Sequence, residues 1–211
     1  MPAESPAERL QAGLQQLSCR LRPEQTDALL QYLELLRRWN RAYNLTAITD
    51  PSEMVARHLL DSLSVSPFIA GGRLLDAGTG AGLPGVPLAI TRPDLDVTLL
   101  DSGGKKVRFL NHVKRTLGLH NATAVQARLE DFVAPVPFDT IISRAFSSLA
   151  DFVQTARRLA SPATRLCAMK GRFPKAELAS LPDQTRLISV EELSVPGLQE
   201  HRHLVIMCLI A

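Results

Sequence analysis

Apolar positions along the chain change their period once, near residue 70. Before that point Leu29, Leu33, Leu36, Trp39 and Tyr43 recur every three or four residues, so they share one face of a helix that Pro23 can open at its first turn. A further helix is expected through SEMVARHLLDSLSVSP, with Asp50 or Ser52 near its N-cap and Pro67 near its end. Residues 1–70 therefore read as a helical cap. Beyond it, the β-rich runs RLLDAG, DVTLLD, ATAVQAR, DTIISRA and TRLCAMKG are interleaved with the helical stretches GVPLAITRP, KKVRFLNHVKRTLG and SLADFVQTARRLA. Alternation of this kind predicts an α/β domain over residues 71–211, with a doubly wound, Rossmann-like, mainly parallel sheet. The tail differs: RLISVEELSVPG and HRHLVIMCLIA are two β-like runs with no helix between them, which predicts a closing antiparallel hairpin.

Composition narrows the class. A chain of 211 residues with 45% hydrophobic content can bury a core, and no uninterrupted apolar run is long enough to span a membrane. The opening MPAESPAERLQAG lacks the charged-then-apolar order of a signal peptide, so a cytoplasmic enzyme is expected. Cys19, Cys167 and Cys208 are far apart and form no metal-ligand spacing, which points to reduced thiols, no disulfide framework and no metal. The formal net charge is only +3, yet residues 101–175 carry 13 Lys or Arg against 5 Asp or Glu, whereas residues 1–70 carry 7 against 8. One selectively basic surface suits a polyanionic partner; the plainer account is a set of solvated Arg-rich helices. No long heptad or exposed apolar stripe argues against a monomer.

The chemistry concentrates in LLDAGTGAGLPGVPLAI, residues 74–90. A phosphate-binding GxxxxGK[ST] loop is excluded, since neither the lysine nor the hydroxyl is in place. Gly80, Gly82 and Gly85 can be counted as GxGxxG with Asp101 downstream, so an NAD(P)-dependent oxidoreductase stays open as an alternative. Three local features favour S-adenosylmethionine. Asp76 ends the first strand, where a carboxylate opposes a pyrophosphate but suits an ammonium. The run D-x-G-x-G-x-G, with Gly78, Gly80 and Gly82, lets backbone pass close beneath the methionine part, and the following helix N-terminus can attract the methionine carboxylate. Asp101 closes the next strand, where a carboxylate accepts ribose hydroxyls, and Glu130 after the third strand offers an acceptor for an adenine amino group, with Leu129 beside it to pack on the ring. A parallel sheet ending in an antiparallel pair is also the arrangement of class I S-adenosylmethionine-dependent methyltransferases. The plainer assignments are turn caps for Asp76 and Asp101 and a solvated loop residue for Glu130.

Several spaced motifs extend the pattern over most of the chain: WNRAYNLT at 39–46, RHLLDSL at 57–63, DSGGKKVRFL at 101–110, ARLED at 127–131, SRAF at 143–146 and MKG at 169–171. With the glycine loop, they make the chain similar to the RsmG family, formerly called glucose-inhibited division protein B, of 16S rRNA guanine-N7 methyltransferases. The resemblance implies S-adenosylmethionine-dependent methylation of N7 of a guanosine in the decoding region of 16S rRNA, free or within the small ribosomal subunit. It also implies cofactor contacts at Gly78, Leu83, Leu129, Glu130 and Arg144. Relatives often carry Ala or Val where this chain has Leu129, a departure that bears on adenine packing.

Guanine N7 is a lone pair with no proton to lose, so no general base is required. In keeping, the chain has no [DNS]PP[YFW] segment and no Pro-Cys dipeptide, and Cys167 reads as a core residue. Arg144 follows DTIIS and should emerge at the sheet's carboxyl edge as the candidate catalytic residue, bonding guanine O6 or a flanking phosphate. The competing assignment pairs it with a local carboxylate such as Glu130. Lys170 and Arg202 are candidate RNA-phosphate contacts, and Lys105, Lys106, Arg108, Lys114 and Arg115 share a helix that is either an RNA footprint or a solvated face. Arg57 and His58 either close the pocket or, for the histidine, form a buried hydrogen bond; Trp39 reads as core rather than as a base-stacking residue. A ribosomal RNA-binding module with a non-catalytic cofactor site is the remaining alternative.

Overall fold

The computed structural model of the protein describes residues 5–144 and 146–210. Ala145, inside the SRAF motif and at the end of the DTIISRA run, lies outside the described residues, as do residues 1–4 and Ala211. Helix α1 (Pro6–Gln16) opens on a reciprocal capping box, in which Ser5 accepts from the Glu8 amide while Glu8 accepts from the Ser5 amide. Helix α2 (Pro23–Tyr43) starts at Pro23 and ends where Asn44 turns left-handed at φ 50°. Its buried stripe holds Leu29, Leu33 and Leu36 as expected, joined by Tyr32 and Leu35. Trp39 and Tyr43 stack on one another at 5.2 Å, and Trp39 also packs against Phe109.

The expected third helix is continuous but not uniform. Asp50 caps α3 (Pro51–Met54) by accepting from the Glu53 amide. A π-helical turn over Val55–Leu60 then widens the coil before α4 (Asp61–Leu63), and a 3-10 turn at Ser66–Phe68 places Pro67 at the end. Turns of this wider kind re-aim side chains, and they cluster at functional sites.

Seven strands form one sheet in the order β3-β2-β1-β4-β5-β7-β6. They are β1 (Arg73–Ala77), β2 (Asp96–Asp101), β3 (Ala122–Gln126), β4 (Thr140–Ser143), β5 (Arg165–Lys170), β6 (Thr185–Glu192) and β7 (His203–Leu209). The first five pair in parallel, and β7 runs antiparallel between β5 and β6, which is the predicted closing hairpin. Helices α5 (Gly85–Thr91) and α6 (Gly104–Leu117) cover one face together with α1 and α2. Helix α7 (Leu149–Ala156) covers the other. The short helix α8 (Lys175–Ala179) has no counterpart in the sequence pattern, because five residues carry too little periodicity to read.

Burial explains the β pattern. Strands β1, β4 and β5 are buried through most of their length because both faces are covered. The outer strand β6 leaves Leu187 and Ile188 exposed and carries a register shift between Leu187 and Ser189, which breaks the regularity of an open edge. One apolar cluster contains Leu10, Leu29 and Leu59 from the N-terminal helices and Val97, Phe109 and Ile206 from beyond residue 70, so a single core spans the expected boundary.

Tyr32 ties the two parts together. It is fully buried, and its hydroxyl donates to the Ala81 carbonyl in the glycine loop at 2.8 Å. Removing the hydroxyl leaves that carbonyl buried and unpaired, so Tyr32→Phe is expected to lower stability by about 1 to 2 kcal/mol in urea unfolding.

Candidate active site

Strand order reverses between β1 and β4, and ligands in such sheets bind at the carboxyl ends beside that switch. The glycine loop leaves β1 here. Gly78, Gly80 and Gly82 hold φ values of 71°, 62° and 99°, a region that residues with a Cβ rarely enter. The amides of Gly78 and Thr79 both donate to the Leu100 carbonyl, which pins the loop to the end of β2.

Asp76 sits beneath the loop, fully buried. Its Oδ2 accepts from the Gly85 amide at 2.7 Å and from the Thr79 hydroxyl at 2.6 Å. Through Oδ2 this carboxylate holds the start of α5 and shapes the loop from below, whereas its Oδ1 makes no hydrogen bond among the described residues. Burial pushes the Asp76 carboxyl up to about 6, against the opposing pull of those two hydrogen bonds.

Two cavities open along the sheet's carboxyl edge. The first, about 270 Å³, is lined by Gly78, Asp101, Leu129 and Glu130, with Leu100 and Phe146 as apolar walls. Asp101 accepts from the amides of Gly80 and Gly103 at 3.0 and 2.8 Å, and the Lys106 ammonium lies 3.1 Å away. These contacts fix the carboxylate at the rim, while the Lys106 side chain is half-exposed. Glu130 is exposed and faces Arg128 at 3.8 Å. Apolar walls for a purine, a fixed carboxylate for ribose hydroxyls and a second acceptor at the far end fit an adenosyl group. Gly80 does not line this cavity; it reaches it through the amide that it donates to Asp101, and a Cβ there would meet only the Gly78 carbonyl at 4.0 Å.

The second cavity, about 300 Å³, is lined by Arg57, His58, Asp61, Arg144, Lys170, Arg202 and neighbours. Asp61 is buried at its centre. Arg144 donates to its Oδ2 at 3.1 Å, and Arg202 Nε stands 3.2 Å from its Oδ1, close enough for an ion pair although not aligned as a hydrogen bond. Burial raises the Asp61 carboxyl, with Arg144, Arg202 and Arg57 opposing the shift. His58 Nε2 pairs with the Thr46 hydroxyl at 3.0 Å, and burial lowers the imidazole to about 4, so it is neutral at pH 7. Arg57 is held by Glu200.

Several expected contacts are corrected by this geometry. Arg144 does reach the carboxyl edge, but its carboxylate partner is Asp61 and not Glu130. Leu83 is buried in the core cluster and does not line the first cavity. A Cβ on Gly82 would meet Val86 Cγ2 at 2.5 Å and Leu110 Cδ2 at 2.8 Å, so this glycine serves packing against α5 and α6. Lys170, read as a phosphate contact, spends its three N–H groups inside the protein: on Glu177 at 2.8 Å and on the Phe146 and Ser147 carbonyls at 3.3 and 3.4 Å. Arg202 also donates to the His201 carbonyl. Sequence reasoning missed Asp61, Phe146 and His203; Asp61 was the one to find, as the sole carboxylate in RHLLDSL.

The sheet order, its antiparallel closure and an adenosyl-shaped cavity at the switch point define a class I methyltransferase. Solved structures agree on the fold: a SAM dependent methyltransferase from Aquifex aeolicus superposes with a TM-score of 0.57 at 22% identity, covering 76% of this chain and 94% of that one. TrmN from Thermus thermophilus does so at 0.58 and 20% identity, covering 82% and 53%. Within that class the particular assignment comes from sequence, because the GidB family model, described as rRNA small subunit methyltransferase G, matches residues 25–205. The chain belongs to this family. The ribosomal RNA small subunit methyltransferase G of Stutzerimonas stutzeri is 54% identical over 207 residues, 97% of this chain and 96% of that protein. That of Alkalilimnicola ehrlichii is 53% identical over 196 residues, 93% and 89% of the two chains. An oxidoreductase is therefore not favoured, nor is a non-catalytic binding module.

His58 and Asp76 oppose one another in pH. Neutral His58 contributes stability that is present above about 6.5 and lost as pH falls towards 4, whereas the raised Asp76 contributes stability present below about 3.8 and lost as pH rises through 6. Asp76→Asn removes the second effect. Urea unfolding between pH 4 and 6.5 is expected to show stability rising with pH more steeply in the variant than in the parent, by about 2 to 3 kcal/mol across the window.

Proposed function

We propose that the protein transfers a methyl group from S-adenosylmethionine to N7 of a guanosine in 16S rRNA, in the decoding region, as a cytoplasmic monomer acting on the free RNA or the small subunit. The single observation that carries this reading is the adjacency of two unlike cavities on one sheet edge: one around Asp101 and Glu130, with Lys106 and Arg128 as their ion-pair partners and apolar walls that fit an adenosyl group, and an arginine-rich one around Arg144 and Arg202. No helix among the described residues is long and apolar enough to cross a membrane.

When bound, S-adenosylmethionine supplies an electrophilic methyl on a positive sulfur. The residues of the first cavity would hold it: Asp101 would take the ribose hydroxyls in place of Lys106, Leu129 and Leu100 would pack on the purine, and Glu130 would accept from the adenine amino group. Arg144 sits at the end of β4 between the two cavities' walls, where it holds the acceptor base in line. The N7 lone pair forms the new N–C bond as the C–S bond breaks, and that electron pair stays on sulfur. No proton moves, so the neutral His58 and the arginine-paired Asp61 are not called upon as bases.

Asp101→Ala is expected to weaken S-adenosylmethionine binding by about 1 to 3 kcal/mol in calorimetry, the scale for losing charge-assisted hydrogen bonds. Arg144→Ala is expected to cut transfer by about 100-fold or more while circular dichroism stays unchanged. Mass spectrometry of nucleosides from methylated 16S rRNA checks the reaction directly: 7-methylguanosine should appear, and its absence with the donor bound sinks the reading.

A further inference from the structure

Buried polar atoms normally find partners, and those that do not mark places built for something else. Among the described residues, the buried side-chain atoms without a hydrogen bond include His58 Nδ1, Asp61 Oδ1 and His203 Nδ1, and all three side chains line the arginine-rich cavity. Each of these residues is more than nine-tenths buried. They arrive from separate parts of the chain: the π-helical turn supplies His58, α4 opens with Asp61, and β7 opens with His203. A cavity whose wall keeps two imidazole nitrogens without a hydrogen bond, and a carboxylate oxygen held only through an ion pair to Arg202 at 3.2 Å, is preorganised for a ligand with both donors and acceptors.

Resting on the methyl-transfer reading above, we propose that this cavity takes the acceptor base and that Asp61 is the residue that selects guanine, accepting its N1–H and 2-amino hydrogens. The pairing rests on the donor pattern of the bases. Guanine alone presents two adjacent donors, N1–H and N2–H2, next to an acceptor, O6. A carboxylate flanked by guanidinium groups is the mirror of that edge: Asp61 meets the donors, and Arg144 or Arg202 meets O6. Adenine and cytosine would set a ring nitrogen lone pair against the carboxylate, and uracil offers one donor between two carbonyls. Nitrogen N7 lies on the Hoogsteen edge, beyond O6 and away from N1–H and the 2-amino group, so a base anchored through Asp61 leaves its nucleophile free.

Asp61 also suits the product. Methylation carries the positive charge from sulfur to the purine ring and makes N1–H a stronger donor, so a carboxylate against that edge gains hold as the reaction proceeds. Charge balance in the resting cavity is consistent with this use. Arg144 and Arg202 neutralise the buried carboxylate, Arg57 is partly spent on Glu200, and exchange of one guanidinium contact for the base leaves no charge stranded.

Inosine separates selection from mere positioning, because it keeps N7, O6 and N1–H and lacks only the 2-amino group. Small-subunit ribosomal RNA is ligated with guanosine or inosine at the methylated position, and kcat/KM is measured for each with the full chain and labelled S-adenosylmethionine. The parent is expected to prefer guanosine by about tenfold or more, since a buried acceptor left unmatched rejects the analogue that lacks its donor. Asp61→Asn, isosteric and unable to accept from both donors, is expected to bring the two rates together, whereas Asp61→Glu keeps a preference. Should Asp61→Asn slow both RNAs equally and keep the parental ratio, Asp61 only holds the arginines and the assignment is wrong. A parental ratio near one overturns the assignment without any variant, including one that fails to fold. If the parent binds S-adenosylmethionine in calorimetry yet methylates neither RNA, the methyl-transfer reading itself falls.

Discussion

A carboxylate with no access to water holds the glycine loop in shape, and the rest of the site inherits its geometry. Asp76 ends β1, fully buried, and turns one oxygen onto the Gly85 amide and the Thr79 hydroxyl. Burying that carboxylate is costly, as its raised titration shows, and the cost is tolerable because the two donors offset part of it. What the protein gains is position. With α5 seated on Asp76, the loop arches over it, Gly80 reaches Asp101 at 3.0 Å, and the Ala81 carbonyl meets Tyr32 from α2. The loop is thus fixed by β1 below, β2 beside it and the N-terminal helices above, so the cradle exists before any donor arrives.

The N-terminal helices do more than cover apolar surface. The wide turn at Val55–Leu60 brings Arg57, His58 and Asp61 to one wall of the arginine-rich cavity. A regular helix advances about 100° per residue, and the extra residue in a π turn rotates the helix on its C-terminal side relative to the helix on its N-terminal side. Lys170 plays the complementary part from the sheet: its bonds to Glu177 and to the carbonyls of Phe146 and Ser147 fasten the segment after β4 from which Arg144 projects. Both cavities depend on that segment, since Phe146 lines one and Arg144 the other.

Legibility in the sequence tracked the range of the interaction. The strands, the hairpin and the long helices were readable because period-two and period-3.6 patterns record which faces are buried. The short α8, the π turn and the partner of Arg144 were not, because they depend on contacts between residues far apart in the chain: Arg144 and Asp61 are 83 positions apart. Asp76 shows the limit most clearly. Its spacing from the glycines correctly marked the loop, yet spacing carries no sign of whether a carboxylate faces a ligand or the protein's own amides. Lys170 is alike, since a lysine after an apolar strand gives no sign in the sequence of the Glu177 carboxylate beside it.

The division of charge along the sheet edge ties these parts to one reaction. On the proposed reading, the cavity of Asp101 and Glu130, which Lys106 and Arg128 also line, takes the positive donor, while that of Arg144, Arg202 and Arg57 faces the polyanion. Transfer moves one positive charge from the first side to the second, into a cavity already rich in guanidinium. Without a counter-charge that movement would be opposed, because like charges in a partly buried site repel strongly. Asp61 is the carboxylate lining that cavity among the described residues, and it is placed between the arginines rather than at the rim. The same group that keeps two guanidinium ions together in the resting protein thereby keeps the acceptor side able to receive a cation.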